Sequence, residues 1–117
     1  MSKPMFPYKT AYGQFAEDGA SYLIQRPDTP RPWVNIMSSG TYGVAMSQTG
    51  SGYSWLHHAS MNRITRWNQD LIQDQWGRYL YVRDEESGKF WSVGWQPVRA
   101  NPTAYEVIHG VGYTIIN

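Results

Sequence analysis

Short apolar segments alternate with turn-forming residues along most of the chain. Tyr, Trp, Val and Ile often occupy alternate positions within these segments, and Gly, Pro, Asp or Ser separates one segment from the next. A period of two is typical of strands with one buried face. Many short strands at regular spacing favour a sandwich or a barrel. We therefore predict an all-β fold, an antiparallel β-sandwich.

The turns arrange the predicted strands as hairpins. An Asp-Gly turn joins residues 12–15 to residues 21–25, and the period of two places Tyr22 and Ile24 on one face of the second strand. The other predicted strands are residues 33–37, 42–47, 53–55, 78–83, 90–95, 105–109 and 113–116.

Some segments fit the strand pattern less clearly. Residues 26–33 contain three prolines, which lack a backbone N–H, so we expect a stiff crossover between sheets. Apolar residues in 60–72 match a helical period only loosely, and we predict a strand over 62–67 instead. Prolines in residues 1–11 favour an extended arm. Residues 12–117 are then the β-sandwich domain.

The last predicted strand is apolar and continues to the final residue, Asn117. An apolar strand at the edge of a sheet tends to pair with another strand. We therefore expect this strand to pair with a further strand.

Composition supports one folded domain. The chain has 117 residues, of which 41% are hydrophobic and 16% charged, with 6 Trp, 9 Tyr and 3 Phe. A net charge of +1 argues against nucleic acid as a partner. The absence of cysteine removes disulfides and thiolate chemistry, and no apolar run approaches the ~18 residues of a membrane span. We expect a soluble, cytoplasmic protein.

The densest candidate chemistry lies in residues 50–70, directly after a Gly-Ser-Gly turn. Aromatic rings, arginines and amide side chains alternate there. Aromatic faces and planar donors suit the apolar faces and hydroxyl groups of sugars, and the same side chains form hot spots of protein interfaces. The predicted carbohydrate-binding residues are Trp55, Arg63, Arg66 and Trp67.

The remaining tryptophans differ in their surroundings. Trp33, Trp91 and Trp95 alternate with aliphatic residues and are predicted to lie in the core. Trp76, like the two tryptophans of the predicted site, lies beside amides or glycine. For these three, core packing and ligand contact are equally supported.

No catalytic or metal-binding residue is predicted. Carboxylates such as Asp18 and Asp84 lie in turns, where they have a structural role. An acid and base pair needs a defined separation across a cleft, which the sequence does not specify. His57 and His58 are adjacent, so on a strand their rings point to opposite faces and cannot share one metal ion.

A series of motifs carries a resemblance to one enzyme family. They are YGQF (12–15) with YLI (22–24), RPDTPRPWVN (26–35), GSGYSW (50–55), MNRITRW (61–67), GRYLYVRDEESGKFWS (77–92), WQPV (95–98) and YEVIHGVGY (105–113). Their order and spacing resemble the N-terminal domain of the cellobiose phosphorylase family. That family includes chitobiose phosphorylase and the phosphorylase-like region of cyclic β-glucan synthases.

The resemblance implies a large antiparallel β-sandwich followed by a helical linker, an (α/α)₆ barrel and a small C-terminal sheet. It also implies that this chain is the first half of the larger sandwich, incomplete at its C-terminal end. It implies a cytoplasmic homodimer that cleaves β-linked oligosaccharides with inorganic phosphate and inverts the anomeric centre. Phosphate is then a co-substrate, and no cofactor or metal is implied. The general acid belongs to the barrel, so no catalytic residue is carried over to this chain.

Three hypotheses follow. In the first, the chain is the non-catalytic N-terminal part of such a phosphorylase; it gives scaffold, dimer contact and the rim of the sugar cleft, and its partner is the remainder of the polypeptide. In the second, it is a free-standing carbohydrate-binding module, which sugar binding by the isolated chain would indicate. In the third, it is a structural oligomerisation domain, which self-association without an effect of sugar would indicate.

Overall fold

A computed structural model describes residues 9–68, 72–74 and 77–117, and strands are the regular elements in these ranges. The strands are β1 (Gly13–Phe15), β2 (Ser21–Ile24), β3 (Val34–Ser38), β4 (Tyr42–Ser47), β5 (Gly52–Leu56), β6 (Tyr81–Arg83), β7 (Phe90–Ser92), β8 (Val107–Gly110) and β9 (Tyr113–Ile116). All pairs of neighbouring strands are antiparallel, so the predicted all-β class is confirmed. Most of the predicted arm and Trp76 lie outside the described residues.

The strands form three sheets. The first sheet has the order β1-β2-β8-β9, the second sheet has the order β3-β4-β5, and β6 and β7 form a two-stranded ribbon. The hairpin predicted across the Asp-Gly turn is confirmed as β1–β2. Because β2 also pairs with β8, which places Tyr22 opposite His109, distant parts of the chain share the first sheet.

The strand predicted over residues 62–67 was wrong. Only one β-bridge forms there, between Arg63 and Trp55. Next to it, the backbone N–H of Ser54 donates to the side-chain hydroxyl of Thr65 at 2.8 Å. A side chain thus takes a position that a backbone carbonyl would hold in a ladder, and pairing does not continue.

The apolar core is thin. In the first sheet, Ile24 and its cross-strand partner Val107 are both 0% exposed, and Tyr22 lies on the same face as Ile24, as predicted. In the second sheet, the buried apolar residues are Ala45 and Tyr53, joined by Trp67. Many large apolar residues on other strand faces remain exposed, so the described residues bury less apolar surface than the hydrophobic composition would allow.

The predicted core tryptophans do not share one environment. Trp33 is half-buried and makes edge-to-face contacts with the rings of Tyr12 and Tyr22 at 5.8 and 5.7 Å. Trp95 is also half-buried. Trp91 is 41% exposed, so the core prediction was wrong for this residue. Its strand, β7, pairs only with β6 among the described residues.

The loop between β4 and β5 is polar but buried. Ser47, Gln48, Thr49 and Ser51 are each at most 2% exposed. Loops normally lie at the surface because their backbone groups need hydrogen-bond partners. This loop can be buried because its polar groups have partners, some within the turn itself and some in other segments. We call residues 47–51, from the last residue of β4 to the residue before β5, the buried loop.

Gln48 ties the buried loop to the proline-rich crossover. Its Oε1 accepts a hydrogen bond from the backbone N–H of Trp33 at 2.8 Å, and its Nε2 donates to the carbonyl of Pro27 at 3.0 Å. One amide side chain thus fixes both ends of a segment whose prolines provide few donors of their own. The predicted role of residues 26–33 as a non-strand connection is confirmed.

Two segments later in the sequence also donate hydrogen bonds to the buried loop. The hydroxyl of Tyr105 donates to the Gln48 carbonyl at 2.6 Å, and burial raises the pKa of Tyr105 to about 12, so this donor keeps its proton. The backbone N–H of Gln96 donates to the Thr49 carbonyl at 3.1 Å. This approach requires glycine at position 94, because a Cβ on Gly94 would lie 2.3 Å from the Thr49 oxygen.

His109 joins the first sheet to the second. Its Nε2 lies 2.9 Å from the carbonyl of Trp33, which can only accept, so Nε2 carries the proton. Its Nδ1 then accepts from the hydroxyl of Thr114 at 3.0 Å, and that hydroxyl accepts from the Asn35 amide at 3.1 Å. The neutral ring therefore satisfies both neighbours, whereas a protonated ring would present a second donor to Thr114.

We predict that stability depends on pH through His109. Burial lowers the pKa of this ring from its ordinary value of 6.5. As pH falls through 6.5 the unfolded chain binds the proton first, so the free energy of unfolding should fall from there towards the lowered pKa and stay level above it. Urea unfolding between pH 5 and 8 measures this.

The variant His109→Gln should lose this part of the pH dependence. The control is His57→Asn, because His57 is exposed and has a left-handed backbone (φ 63°) that asparagine tolerates. The control should keep the wild-type profile. If the free energy of unfolding depended on pH equally in wild type and His109→Gln, the assignment of this dependence to His109 would be contradicted.

Candidate functional site

Tyr53 on β5 is the centre of the predicted carbohydrate site. Its ring stacks on Trp67 with a centroid distance of 5.8 Å and packs at a tilt against Trp55 at 5.1 Å. The guanidinium of Arg63 lies over the same ring, 5.0 Å from its centroid. The structure thus brings together three of the four predicted residues, around a tyrosine that the predicted set did not include.

Trp55 presents the accessible ring of this cluster. It is half-buried and lies opposite Gly43 on β4. A Cβ at Gly43 would lie 2.2 Å from Cε2 and Cζ2 of the indole, so the ring lies directly against the glycine backbone. One face of the indole therefore packs on the sheet. Ile36 on the neighbouring strand β3 lies on the same face of the sheet and is 68% exposed. We call Trp55 and Ile36 the aromatic shelf.

Arg63 is exposed but held in place. Its Nε donates to the carbonyl of Ala59 at 3.0 Å and its Nη1 donates to the carbonyl of Trp67 at 3.2 Å. These bonds use two of the five N–H donors of a guanidinium. Arg63 therefore closes the loop onto the cluster and keeps a charged edge beside the aromatic rings. Arg66 is exposed in the same loop.

Trp67 has a different position from Trp55. It is only 4% exposed, and its Nε1 donates to Oδ1 of Asp74 at 3.0 Å. A ring enclosed in this way has no open face for a sugar in the structure described here. Its contacts are those of a packing residue, and carbohydrate binding by the predicted set stays a prediction.

Asp74 is the buried acceptor that the sequence does not single out. It is 3% exposed, and its Oδ2 accepts from the hydroxyls of Ser47 at 2.5 Å and Thr49 at 2.7 Å. Together with the Trp67 indole, three neutral donors satisfy one carboxylate. Two of these partners belong to the buried loop, far away in sequence, so no local spacing could have revealed the site.

A polar groove of about 340 Å³ lies beside Asp74. The guanidinium of Arg99 lies over the Trp95 ring in its wall, and Arg99 Nε donates to Gln96 Oε1 at 3.1 Å. Gln96 Nε2 in turn donates to the carbonyl of Gln73 at 3.3 Å. These polar groups bind one another, so the groove extends the network around Asp74.

The described residues contain no cluster of three or more histidine and acidic side chains that could hold a metal ion. A search of the same residues for a helix of sufficient length and apolarity to span a bilayer finds none.

Comparison with known proteins identifies the family. Residues 20–117 match the family model described as glycosyl hydrolase 94, supersandwich domain. The antiparallel sheets agree with a supersandwich, which is the class of domain that the chain represents. The chain belongs to glycosyl hydrolase family 94, so the resemblance inferred from the motifs is confirmed.

Several curated proteins are similar to the chain. N,N'-diacetylchitobiose phosphorylase from Vibrio furnissii is 43% identical over 105 residues, which are 88% of this chain and 13% of the relative. 3-O-beta-D-glucopyranosyl-beta-D-glucuronide phosphorylase from Paenibacillus borealis is 39% identical over 106 residues, 91% of this chain and 13% of the relative. Cyclic beta-(1,2)-glucan synthase NdvB from Rhizobium meliloti (strain 1021) is 31% identical over 106 residues, 88% of this chain and 4% of the relative. The chain therefore spans only a small part of the length of these relatives.

We predict that Asp74→Asn lowers the free energy of unfolding by about 2 to 3 kcal/mol, because an amide cannot accept from all three donors that the carboxylate satisfies. Urea unfolding at pH 7 measures the change. Glu17→Gln is the control, since Glu17 is an exposed acid in the β1–β2 turn, and it should leave the midpoint unchanged. Equal midpoints for the two variants would show that the buried carboxylate is not a stabilising centre.

Proposed function

We propose that the chain forms the N-terminal, non-catalytic part of the supersandwich of a glycoside phosphorylase. The enzyme would cleave β-linked oligosaccharides with inorganic phosphate as co-substrate. The observation that carries this proposal is the family match over residues 20–117, together with 43% and 39% identity to two phosphorylases. A cytoplasmic location and a homodimer belong to the same proposal.

The environments of two exposed carboxylates, Asp28 and Asp84, are consistent with a non-catalytic role. Arg26 donates two hydrogen bonds to Asp28 and thereby lowers the pKa of this acid. The hydroxyl of Ser87 and the backbone of the β6–β7 turn lower the pKa of Asp84. An acid with a lowered pKa has lost its proton at neutral pH and cannot donate it to a leaving group. Under the proposal, the general acid is supplied by polypeptide outside these residues.

The aromatic shelf supports a contribution to the rim of the sugar cleft. Trp55 offers a ring that is supported by Gly43 on one side, and Arg63 places donors at the edge of the same cluster. A supported ring with a charged donor nearby can stack on the C–H face of a sugar while its hydroxyls are bound.

The phosphorylase hypothesis predicts activity only in the longer polypeptide. Neither this chain nor the remainder of the polypeptide alone should release a sugar 1-phosphate from N,N'-diacetylchitobiose, cellobiose or related β-linked disaccharides. Mixed or joined, they should do so, and only when inorganic phosphate is present. Release measured by ion chromatography tests this. Cleavage by the chain alone, or equal cleavage by the joined polypeptide in water without phosphate, would rule out the assignment.

The second hypothesis, a free-standing carbohydrate-binding module, is favoured by the exposed part of Trp55. It predicts that the isolated chain binds β-glucan oligosaccharides and that Trp55→Ala weakens binding about tenfold through the loss of ring stacking. Isothermal titration calorimetry measures the affinity. Trp91→Ala is the matched control, because Trp91 is an exposed tryptophan outside the cluster. An equal loss in both variants, or binding that survives Trp55→Ala, would remove the shelf as the binding site.

A further inference from the structure

Arg99 brings unused hydrogen-bond donors to the polar groove beside Asp74. Its side chain is exposed, and its bond to Gln96 uses one of the five N–H donors of a guanidinium. Within the described ranges this is the one hydrogen bond that the side chain makes. Because the guanidinium also lies over the Trp95 ring, 5.2 Å from its centroid, its remaining donors are held in place and open to a ligand.

The proline-rich crossover supplies acceptors to the same groove. The carboxylate of Asp28 accepts two hydrogen bonds from Arg26, which orient it, and its side chain is 52% exposed. A carboxylate offers about four lone-pair positions, so Asp28 can accept further bonds. The hydroxyl of Thr29 donates to the Arg31 carbonyl at 2.6 Å and can still accept.

The rest of the polar lining is rigid. Gln48 and Thr49 of the buried loop and Gln96 are each at most 4% exposed, and each is hydrogen bonded to another segment of the chain. Pro27 and Pro32, which also line the groove, have a fixed φ angle. A groove with fixed walls loses little conformational entropy when a ligand binds.

Unusual backbone angles also occur at this groove. Three non-glycine residues among those described have a left-handed backbone, and two of them, Asp74 (φ 47°) and Arg99 (φ 53°), line it. Such angles cost free energy and occur preferentially at binding and active sites, where surrounding contacts enforce them. Here they place a carboxylate and a guanidinium in one groove.

Charge and size select the class of ligand. An anion bound by Arg99 would lie near the carboxylates of Asp28 and Asp74, and a cation would lie near the guanidinium. Hydroxyl groups both donate and accept, so a neutral ligand rich in hydroxyls can use Arg99 and Asp28 at the same time. A volume of about 340 Å³ has room for a single sugar ring rather than for a long chain.

We propose that the polar groove beside Asp74 is a carbohydrate-binding site for one neutral sugar ring, separate from the cluster around Tyr53. Arg99 donates to the sugar hydroxyls, and Asp28 and Thr29 accept from them. Asp74 is a positioning residue, since its oxygens are already bound to three donors of the chain. The site takes part in no cleavage and is independent of phosphate.

NMR titration of the ¹⁵N-labelled chain with glucose tests the groove. The indole N–H signal of Trp95, identified by its loss in Trp95→Phe, reports binding beside Arg99. Glucose should shift this signal saturably with a Kd in the millimolar range, as expected for a few hydrogen bonds in an open groove. The indole signals of Trp55 and Trp67 should stay in place, and sodium sulfate at matched ionic strength should shift none of them.

Variants connect the signal to the proposed contacts. Arg99→Asn should weaken glucose binding at least about tenfold through the loss of charged donors. Asparagine tolerates the left-handed backbone at this position, so the fold is kept. Thr29→Val removes one hydroxyl with little change of shape and should weaken binding about threefold. Arg83→Asn is the matched control, because Arg83 is an exposed arginine on β6 that does not line the groove, and it should bind glucose like wild type.

Each of the opposite results overturns the proposal. A Trp95 signal that glucose does not shift saturably would leave the groove without a sugar ligand, and a larger saturable shift with sulfate would make it an anion site. Equal affinities of Arg99→Asn and Arg83→Asn would exclude Arg99, and a loss of binding in Trp55→Ala instead would place the sugar at the aromatic shelf. None of these results involves release of a sugar 1-phosphate, so failure here is distinguishable from failure of the phosphorylase assay.

Discussion

The structure depends on the burial of a polar loop. Apolar surface alone could not hold residues 47–51 in the interior, because every polar group of the backbone and side chains that is taken from water needs a partner. These partners come from four places: the proline-rich crossover, the backbone of Gln96, the hydroxyl of Tyr105 and the carboxylate of Asp74. Hydrogen bonds therefore hold these segments together, a role that a large apolar core has in other domains. Segments without strand structure are fixed in place through their bonds to one loop.

Local sequence patterns predicted most of the strands because a period of two and turn residues are local signals. The β1–β2, β3–β4 and β8–β9 hairpins follow the expected turns. The failures have a common physical origin in longer-range contacts. A threonine hydroxyl interrupts pairing near Arg63, and the exposure of Trp91 reflects which layers surround β7 rather than its own alternation. The pairing of β2 with β8 is likewise invisible to any local window.

The candidate site was predictable in composition but not in arrangement. The aromatic stretch did bring Trp55, Arg63 and Trp67 together, since they occupy β5 and the loop that folds back on it. Two residues outside the predicted set determine which ring is open and which is enclosed. Gly43 lets the Trp55 indole lie against the sheet, and Asp74 draws Trp67 inside. Neither residue carries a motif.

The pairing of β2 with β8 has a consequence for biosynthesis. Its partners Tyr22 and His109 are far apart in sequence, so the ribosome releases one well before the other. The early β1–β2 hairpin must wait in an unprotected form, and the loss of entropy on closing so long a loop precedes any gain from pairing. The first sheet can therefore form only after β8 has been synthesised, and until then β2 presents an unpaired edge to chaperones that shield nascent strands.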